Sequence, residues 1–202
     1  MQKIIYHIIL AFSLGSIMAC STTGKNFATR YYNENKDMLD SIRNRFRNSY
    51  NNKPYHLQFE DRNFRYISFE ILTDSTRQIY RFDLQEKDFT DTLEKYKYPA
   101  AEIIGLAADM QRIQCTWISK LDYYENREQK NLVFISIRSN RLKSLLSGEK
   151  YYALAFFNDR QFFDKQGRLT DKTERRRMRE INGQVFYRIT DRICYAITGN
   201  FR

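Results

Sequence analysis

The sequence predicts a single α+β domain: a mainly antiparallel sheet with an N-terminal helix and one or two further helices packed on it. Apolar residues recur at helical spacing near residue 40, and in several later runs they alternate with polar residues. No repeat or low-complexity linker divides the 202 residues. The content of Phe 15, Tyr 15 and Trp 1 against only 7 Gly and 2 Pro excludes disordered and collagen-like chains.

The first helix is predicted at residues 34–50, with Asn33 as a suitable N-cap. Five apolar residues lie three and four positions apart, which gives such a helix one apolar side: Met38, Leu39, Ile42, Phe46 and Tyr50.

Three strands follow this helix. Residues 55–59, 65–71 and 80–84 alternate apolar and polar side chains, and turn-forming residues separate them at 61–63 and 73–75. This order predicts a three-stranded antiparallel meander.

The second half of the chain returns to helix and then to strand. The predicted elements are helices near 89–96 and 99–110, a hairpin of 115–124 and 132–138, a helical turn at 142–148, and extended runs at 151–157, 161–164, 185–190 and 193–198. Residues 151–157 are almost all apolar, which is typical of a strand that is buried on both faces.

The first twenty residues have the order of an export signal. Lys3 and the amino terminus supply positive charge, residues 4–14 are almost wholly apolar, and small residues precede Cys20. A membrane-crossing helix needs about 20 apolar residues, so this run is too short to span a bilayer.

The segment Ile17-Met18-Ala19-Cys20 resembles the lipobox of bacterial lipoprotein precursors. In that family the cysteine is acylated and the peptide before it is removed. The resemblance implies a signal peptide at 1–19, a lipidated N-terminus and tether at 20–30, and a domain at 31–202. Ordinary signal-peptide cleavage near Ala19 is the alternative, although an Ala-x-Ala pattern is absent.

The same resemblance implies an address in the cell envelope. Ser21 and Thr22 stand where an aspartate would mark inner-membrane retention, and residues 21–26 lack the acidic run of surface-exported lipoproteins. We therefore expect acyl chains on Cys20 to anchor the protein in the outer membrane, facing the periplasm.

Positive charge is concentrated near the carboxyl end. Residues 139–202 carry 14 Lys and Arg against 7 Asp and Glu, whereas residues 20–138 carry 19 against 17. The densest cluster consists of Arg175, Arg176, Arg177 and Arg179. In an exported protein this cluster fits an anionic surface or an acidic envelope protein and not nucleic acid, which makes it a candidate polyanion- or partner-binding site, although charge runs are more often solvated faces. The alternative is a solvated helix face with local ion pairs.

Two cysteines remain once Cys20 is assigned to lipid. Cys115 and Cys194 both lie in strand-like runs, in a compartment where disulfides persist. Either the two form a disulfide or each is a separate buried thiol.

Residue types that catalysis needs are scarce. After the leader the chain has a single histidine, His56, and no nucleophile, phosphate-binding or dinucleotide motif, so we expect neither a metal site nor a cofactor. Glu60, Glu70 and Asp83 remain as carboxylates for a two-carboxylate glycosidase.

Two classes of function therefore stay open. The first is a non-catalytic envelope lipoprotein that acts as a binding or assembly component. The second is a lipid-anchored glycan- or small-ligand-binding protein, or a carboxylate-based hydrolase.

Overall fold

A central antiparallel sheet of eight strands organises the chain. The structure, a computed structural model, describes residues 24–50, 53–72, 77–125, 127–138, 151–172 and 177–198. The strands are β1 (Tyr55–Phe59), β2 (Tyr66–Leu72), β3 (Arg77–Asp83), β4 (Cys115–Glu125), β5 (Glu128–Arg138), β6 (Tyr151–Phe157), β7 (Phe162–Phe163), β8 (Leu169–Thr170), β9 (Glu180–Ile181), β10 (Gln184–Val185), β11 (Tyr187–Arg188) and β12 (Ile193–Thr198). The sheet order is β11-β12-β6-β5-β4-β1-β2-β3, and β7–β8 and β9–β10 form two small hairpins. The predicted α+β class is confirmed.

Four helices accompany the sheet in the described residues: α1 (24–34), α2 (Lys36–Tyr50), α3 (Asp88–Lys95) and α4 (Ala100–Arg112). The apolar side of α2 buries Leu39, Ile42 and Phe46, as its spacing predicts. Helix α4 begins directly after Pro99, whose fixed φ suits a helix start. None of these helices is long and apolar enough to cross a membrane.

The chain order explains the sheet order. Strands β1, β2 and β3 form the predicted meander, and the β1–β2 turn is held by Asp61, whose Oδ1 accepts hydrogen bonds from the backbone N–H groups of Arg65 and Tyr66. Helices α3 and α4 then return the chain so that β4 pairs with the free side of β1. A second meander, β4–β5–β6, extends the sheet, and β12 is added beside β6.

The helices cover one face of the sheet. Ala28 of α1, Phe46 of α2, Leu93 of α3 and Leu106 of α4 are all buried in one apolar cluster with inward-facing strand residues such as Phe69. Burying such a side chain contributes about 1.5–3 kcal/mol, so this layer is the main source of the fold's stability.

Strands β4, β5, β6 and β12 are also covered on their other face. Leu169, Ile181 and Phe186, from the segment between β6 and β12, pack there against Phe134 and Phe157. All seven residues of β6 are buried, as expected for its continuous apolar run. We call the described residues of this stretch, 158–172 and 177–188, the covering segment.

A tight turn shapes part of the covering segment. Asn182 and Gly183, between β9 and β10, have φ angles of 51° and 67°. Two central residues with positive φ define the type I′ turn that joins short antiparallel strands, and Asn-Gly is its preferred pair.

The structure corrects the predicted tether. Residues 24–30 belong to α1, Ala28 is fully buried, and the Phe27 ring lies 4.5 Å from that of Tyr152. The folded domain therefore includes residues that the sequence assigned to the tether at 20–30.

The β4–β5 hairpin is longer than predicted, because the polar residues at 128–131 continue the ladder beside β4. The helical turn predicted at 142–148 lies outside the described residues.

Cys115 and Cys194 are free, buried thiols, which corrects the disulfide alternative. Cys115 belongs to the helix-side cluster and Cys194 to the cluster on the other face. Their strands are also three inter-strand steps apart, or about 14 Å, whereas a disulfide needs Cα atoms within about 7 Å.

We predict that both thiols react slowly in the folded protein. Burial raises the pKa of Cys115 and of Cys194, so little thiolate forms at neutral pH. Alkylation of the Cys20→Ser chain, followed by mass spectrometry, should give no rapid adducts when folded and two in denaturant without reductant. An unmodified denatured chain would show instead that the two thiols are bonded.

Candidate functional site

The structure divides the predicted arginine cluster. Arg175 and Arg176 lie outside the described residues, and Arg177 is exposed. The side chain of Arg179 is only 11% exposed and faces the buried carboxylate of Glu125. The four arginines therefore do not share one surface role.

Arg179 joins the covering segment to the sheet. Its Nη1 donates to Oε1 of Glu125 at 2.6 Å, and its Nη2 donates to Oε1 of Gln161. The guanidinium carbon also lies 5.4 Å from the ring centre of Tyr123 and 6.0 Å from that of Phe157. Because these contacts engage both terminal nitrogens and the flat face of the guanidinium, we assign Arg179 a structural role.

Glu125 is the centre of a small ionic network. Nζ of Lys130 lies 2.7 Å from Glu125 and 3.0 Å from Asp159. Burial opposes ionisation of Glu125, but hydrogen bonds from Lys130 and Arg179 outweigh it and hold its pKa below the usual range. The network is thus ionised at neutral pH and ties the end of the β4–β5 hairpin to the covering segment.

The three carboxylates predicted as acid–base candidates are each paired with an arginine: Glu60 with Arg81, Glu70 with Arg77, and Asp83 with Arg65. The hydrogen bond from Arg65, together with the backbone N–H of Gln85, holds the pKa of Asp83 below its usual range. A general acid near neutral pH needs the opposite shift, so Asp83 is poorly suited to that role.

His56 lies on the outer face of β1, opposite the helices. Its Nδ1 is 3.9 Å from Oε2 of Glu70, and its ring meets that of Trp117 edge-on at 6.0 Å. Among the described residues, no group of three or more His, Cys, Asp or Glu side chains could hold a metal ion.

A different set of basic residues lines an open cleft of about 780 Å³. The helices α1 and α2 contribute Tyr32, Lys36, Asp40 and Arg43; the loop after β6 contributes Arg160; and β11 with the β11–β12 turn and the start of β12 contributes Arg188, Thr190, Asp191, Arg192 and Ile193. We call this the arginine cleft.

The helical side of the arginine cleft follows from spacing. Tyr32, Lys36, Asp40 and Arg43 lie four, four and three residues apart and so share one side of the helices. The guanidinium carbon of Arg43 lies 5.8 Å from the ring centre of Phe156, so the arginine packs over the face of this ring.

The opposite side of the cleft is a turn with little freedom. Oγ1 of Thr190 accepts hydrogen bonds from the backbone N–H groups of Arg192 and Ile193, at 3.2 and 3.1 Å. The backbone N–H of Gln161 donates to the carbonyl of Asp191 at 2.7 Å. The turn and the covering segment are therefore held together.

Positive charge exceeds negative charge in the cleft. Five cations and two carboxylates line it, which leaves three positive charges in excess. Asp191 pairs with both Arg160 and Arg188. The pKa of Asp191 is held below its usual range, mainly by the hydrogen bond from Arg160. Lys36 and Arg192 have no carboxylate within 4 Å among the described residues. The cleft is thus suited to bind anions.

Sequence reasoning missed this cleft. Lys36, Arg160, Arg188 and Arg192 are isolated in sequence, and none belongs to the cluster at 175–179. The available signal was only the general excess of basic residues after position 139.

Comparisons with protein-family models, with curated proteins and with solved structures found no match.

We predict that Arg179→Ala destabilises the fold by about 2 kcal/mol at pH 7, because the buried carboxylate of Glu125 loses one of its two cationic partners and keeps Lys130. The pKa of Glu125 is depressed in the folded state, so the stabilisation exists above the unfolded pKa of about 4.3 and is lost as pH falls through the lower folded value. Denaturant unfolding at pH 7 and pH 3 measures this.

The matched control is Arg112→Ala, since Arg112 is an exposed arginine at the end of α4. Its cost should stay within about 0.5 kcal/mol. Equal losses in the two variants would contradict a structural role for Arg179.

Proposed function

We propose that the chain is a non-catalytic lipoprotein of the cell envelope, anchored through Cys20, that acts as a binding or assembly component on the periplasmic side of the outer membrane. The observation that carries the binding role is the arginine cleft, where cations outnumber carboxylates by five to two. The anchor is supported by the lipobox-like residues 17–20.

The cleft supports a partner that carries negative charge. Arginine presents a planar set of N–H donors that matches carboxylate and phosphate oxygens, and steering by excess positive charge accelerates encounters with such groups. An anionic envelope protein or surface fits this chemistry.

The state of the acid–base candidates favours binding over catalysis. Glu60, Glu70 and Asp83 each pair with an arginine, and burial raises the pKa values of the two thiols. The carboxylates are thus engaged in ion pairs, and the thiols are held in the unreactive protonated form.

The proposed anchor predicts the behaviour of Cys20→Ser. Without the thiol no diacylglyceryl group can attach, so metabolic labelling with a radioactive fatty acid should give no labelled protein, and the leader should remain. Cys115→Ser is the control and should be labelled like the natural chain, because that thiol is buried in the domain. Persistent label in Cys20→Ser would refute the anchor.

The proposed binding role predicts a specific crosslinked partner in intact cells. A carboxyl-tagged chain should capture one recurring envelope protein, and Arg188→Gln with Arg192→Gln should reduce that capture severalfold. Arg175→Gln with Arg176→Gln tests the predicted cluster by the same assay, because Arg179 cannot be replaced without weakening the fold. Capture of glycan alone would overturn the assembly role and favour the ligand-binding alternative.

A further inference from the structure

We propose that the arginine cleft binds a phosphate-bearing group with more than one negative charge. This inference rests on the proposed function and names the chemical class that the cleft takes. It follows from the charge surplus, from the donors that the protein leaves unused, and from the rigidity of the cleft walls.

The charge surplus favours a multivalent anion. A single carboxylate would neutralise one of the three excess positive charges, whereas a phosphate monoester carries nearly two negative charges at neutral pH and a diphosphate carries more. Neutralisation of the cleft therefore favours a ligand with several negative charges close together, as a phosphate monoester or diphosphate has.

Asp191 shows how the cleft holds oxygen anions. Its Oδ2 accepts from Arg160 at 2.5 Å and its Oδ1 accepts from Arg188 at 2.6 Å. Each guanidinium carries five N–H donors, so both arginines keep donors for a second oxyanion. The protein thus uses one carboxylate to orient two arginines side by side.

Two further cations of the cleft have no acidic partner in the described part of the chain. Arg43 is not one of them, because its Nη2 lies 3.2 Å from Oδ1 of Asp40. Lys36 and Arg192 have no carboxylate within ion-pair distance in the same part of the chain. A ligand with several oxygens can engage Lys36 and Arg192 together, because they line opposite walls of the cleft.

The backbone of one wall and the side chains of Arg43 and Arg188 are held in place before a ligand arrives. Thr190 braces the β11–β12 turn, and rings of Phe156 and Phe163 support Arg43 and Arg188 at 5.8 and 5.5 Å. Pre-ordered donors lose less entropy when the ligand binds, which favours affinity at this site.

The phosphate could belong to a lipid headgroup or to a soluble molecule. Three residues separate Cys20 from Gly24, so four residue steps limit that distance to about 14 Å, and the eight helical steps from Gly24 to Tyr32 span about 12 Å. The anchoring membrane is therefore within reach of the cleft, and the experiment must separate these two sources.

The test titrates the full chain, purified in a non-ionic detergent, with pyrophosphate, inorganic phosphate and succinate by calorimetry. We expect pyrophosphate to bind best and succinate to bind weakest. Lys36→Gln with Arg192→Gln should weaken pyrophosphate binding roughly tenfold or more. The control, Arg112→Gln with Lys165→Gln, removes the same two residue types from exposed positions outside the cleft and should leave affinity unchanged.

A second arm identifies the source of the phosphate. Flotation compares the Cys20→Ser chain with the same chain carrying Lys36→Gln and Arg192→Gln, on vesicles of phosphatidylcholine and on vesicles that also contain phosphatidic acid. Both chains retain the apolar leader, so a difference between them reports on the cleft. If the protein floats with vesicles that contain phosphatidic acid, if the cleft substitutions reduce this flotation, and if pyrophosphate displaces the protein, the ligand is a lipid headgroup. Pyrophosphate binding without such flotation assigns a soluble or partner-borne phosphate.

The inference is overturned if pyrophosphate does not bind, if succinate binds equally well, or if the control variant weakens binding as much as the cleft variant. Its failure is distinct from that of the proposed function. If Arg188→Gln with Arg192→Gln loses crosslinking but no phosphate binds to the natural chain, the partner role stands and the phosphate inference fails. If Cys20→Ser still carries acyl label, the anchor fails and the phosphate inference is unaffected.

Discussion

The rest of the structure depends on the need to cover β6 on both faces. This strand is apolar along its whole length and is fully buried, so one layer of helices leaves half of its side chains in water. The covering segment supplies the second layer, and the strands in its described residues are two residues long. Backbone hydrogen bonds such as that from Leu169 N–H to the carbonyl of Phe186, at 2.8 Å, hold the segment together. Buried rings and the contact between Arg179 and Glu125 attach it to the sheet.

The arginine cleft is a consequence of that covering layer. The covering segment leaves β6 beside Arg160 and returns to the sheet through β11, which carries Arg188, so both arginines reach the edge of the sheet next to α2. The helix supplies Lys36 and Arg43 from the other side. Groups that the chain keeps far apart thus meet because the sheet edge, the covering segment and the helix converge there.

Helix α1 connects this cleft to the anchor proposed at Cys20. A Cβ placed on Gly24 would lie only 2.7 Å from Cδ1 of Ile197, so the backbone of α1 at Gly24 packs closely on β12. Because Ala28 is also buried, α1 is part of the domain and not a loose tether. A lipidated Cys20 would then hold the domain close to the membrane surface, and the cleft would lie about two helical turns further along α1.

The sequence by itself determined the local elements that periodicity encodes. The side of α2 with Leu39, Ile42 and Phe46, the alternation in β1 and β2, and the apolar run of β6 each predict an element and its buried face. The Asn182-Gly183 turn was also readable in principle, since this pair favours positive φ at both positions. Boundaries near residue 24 and in the β4–β5 hairpin were less predictable, because packing on neighbouring elements extends a helix or strand beyond its periodic residues.

Only the tertiary structure decided which charged groups are buried and which remain available. Arg177 and Arg179 are two positions apart, yet one is exposed and the other is buried against Glu125, 54 residues away. The separation of Cys115 from Cys194 and the meeting of Lys36 with Arg192 likewise depend on strand order. The spacing of charged residues does not predict their partners, because an ion pair depends on the distance between two groups in the folded protein. A buried apolar face, in contrast, requires apolar residues at regular spacing in the sequence.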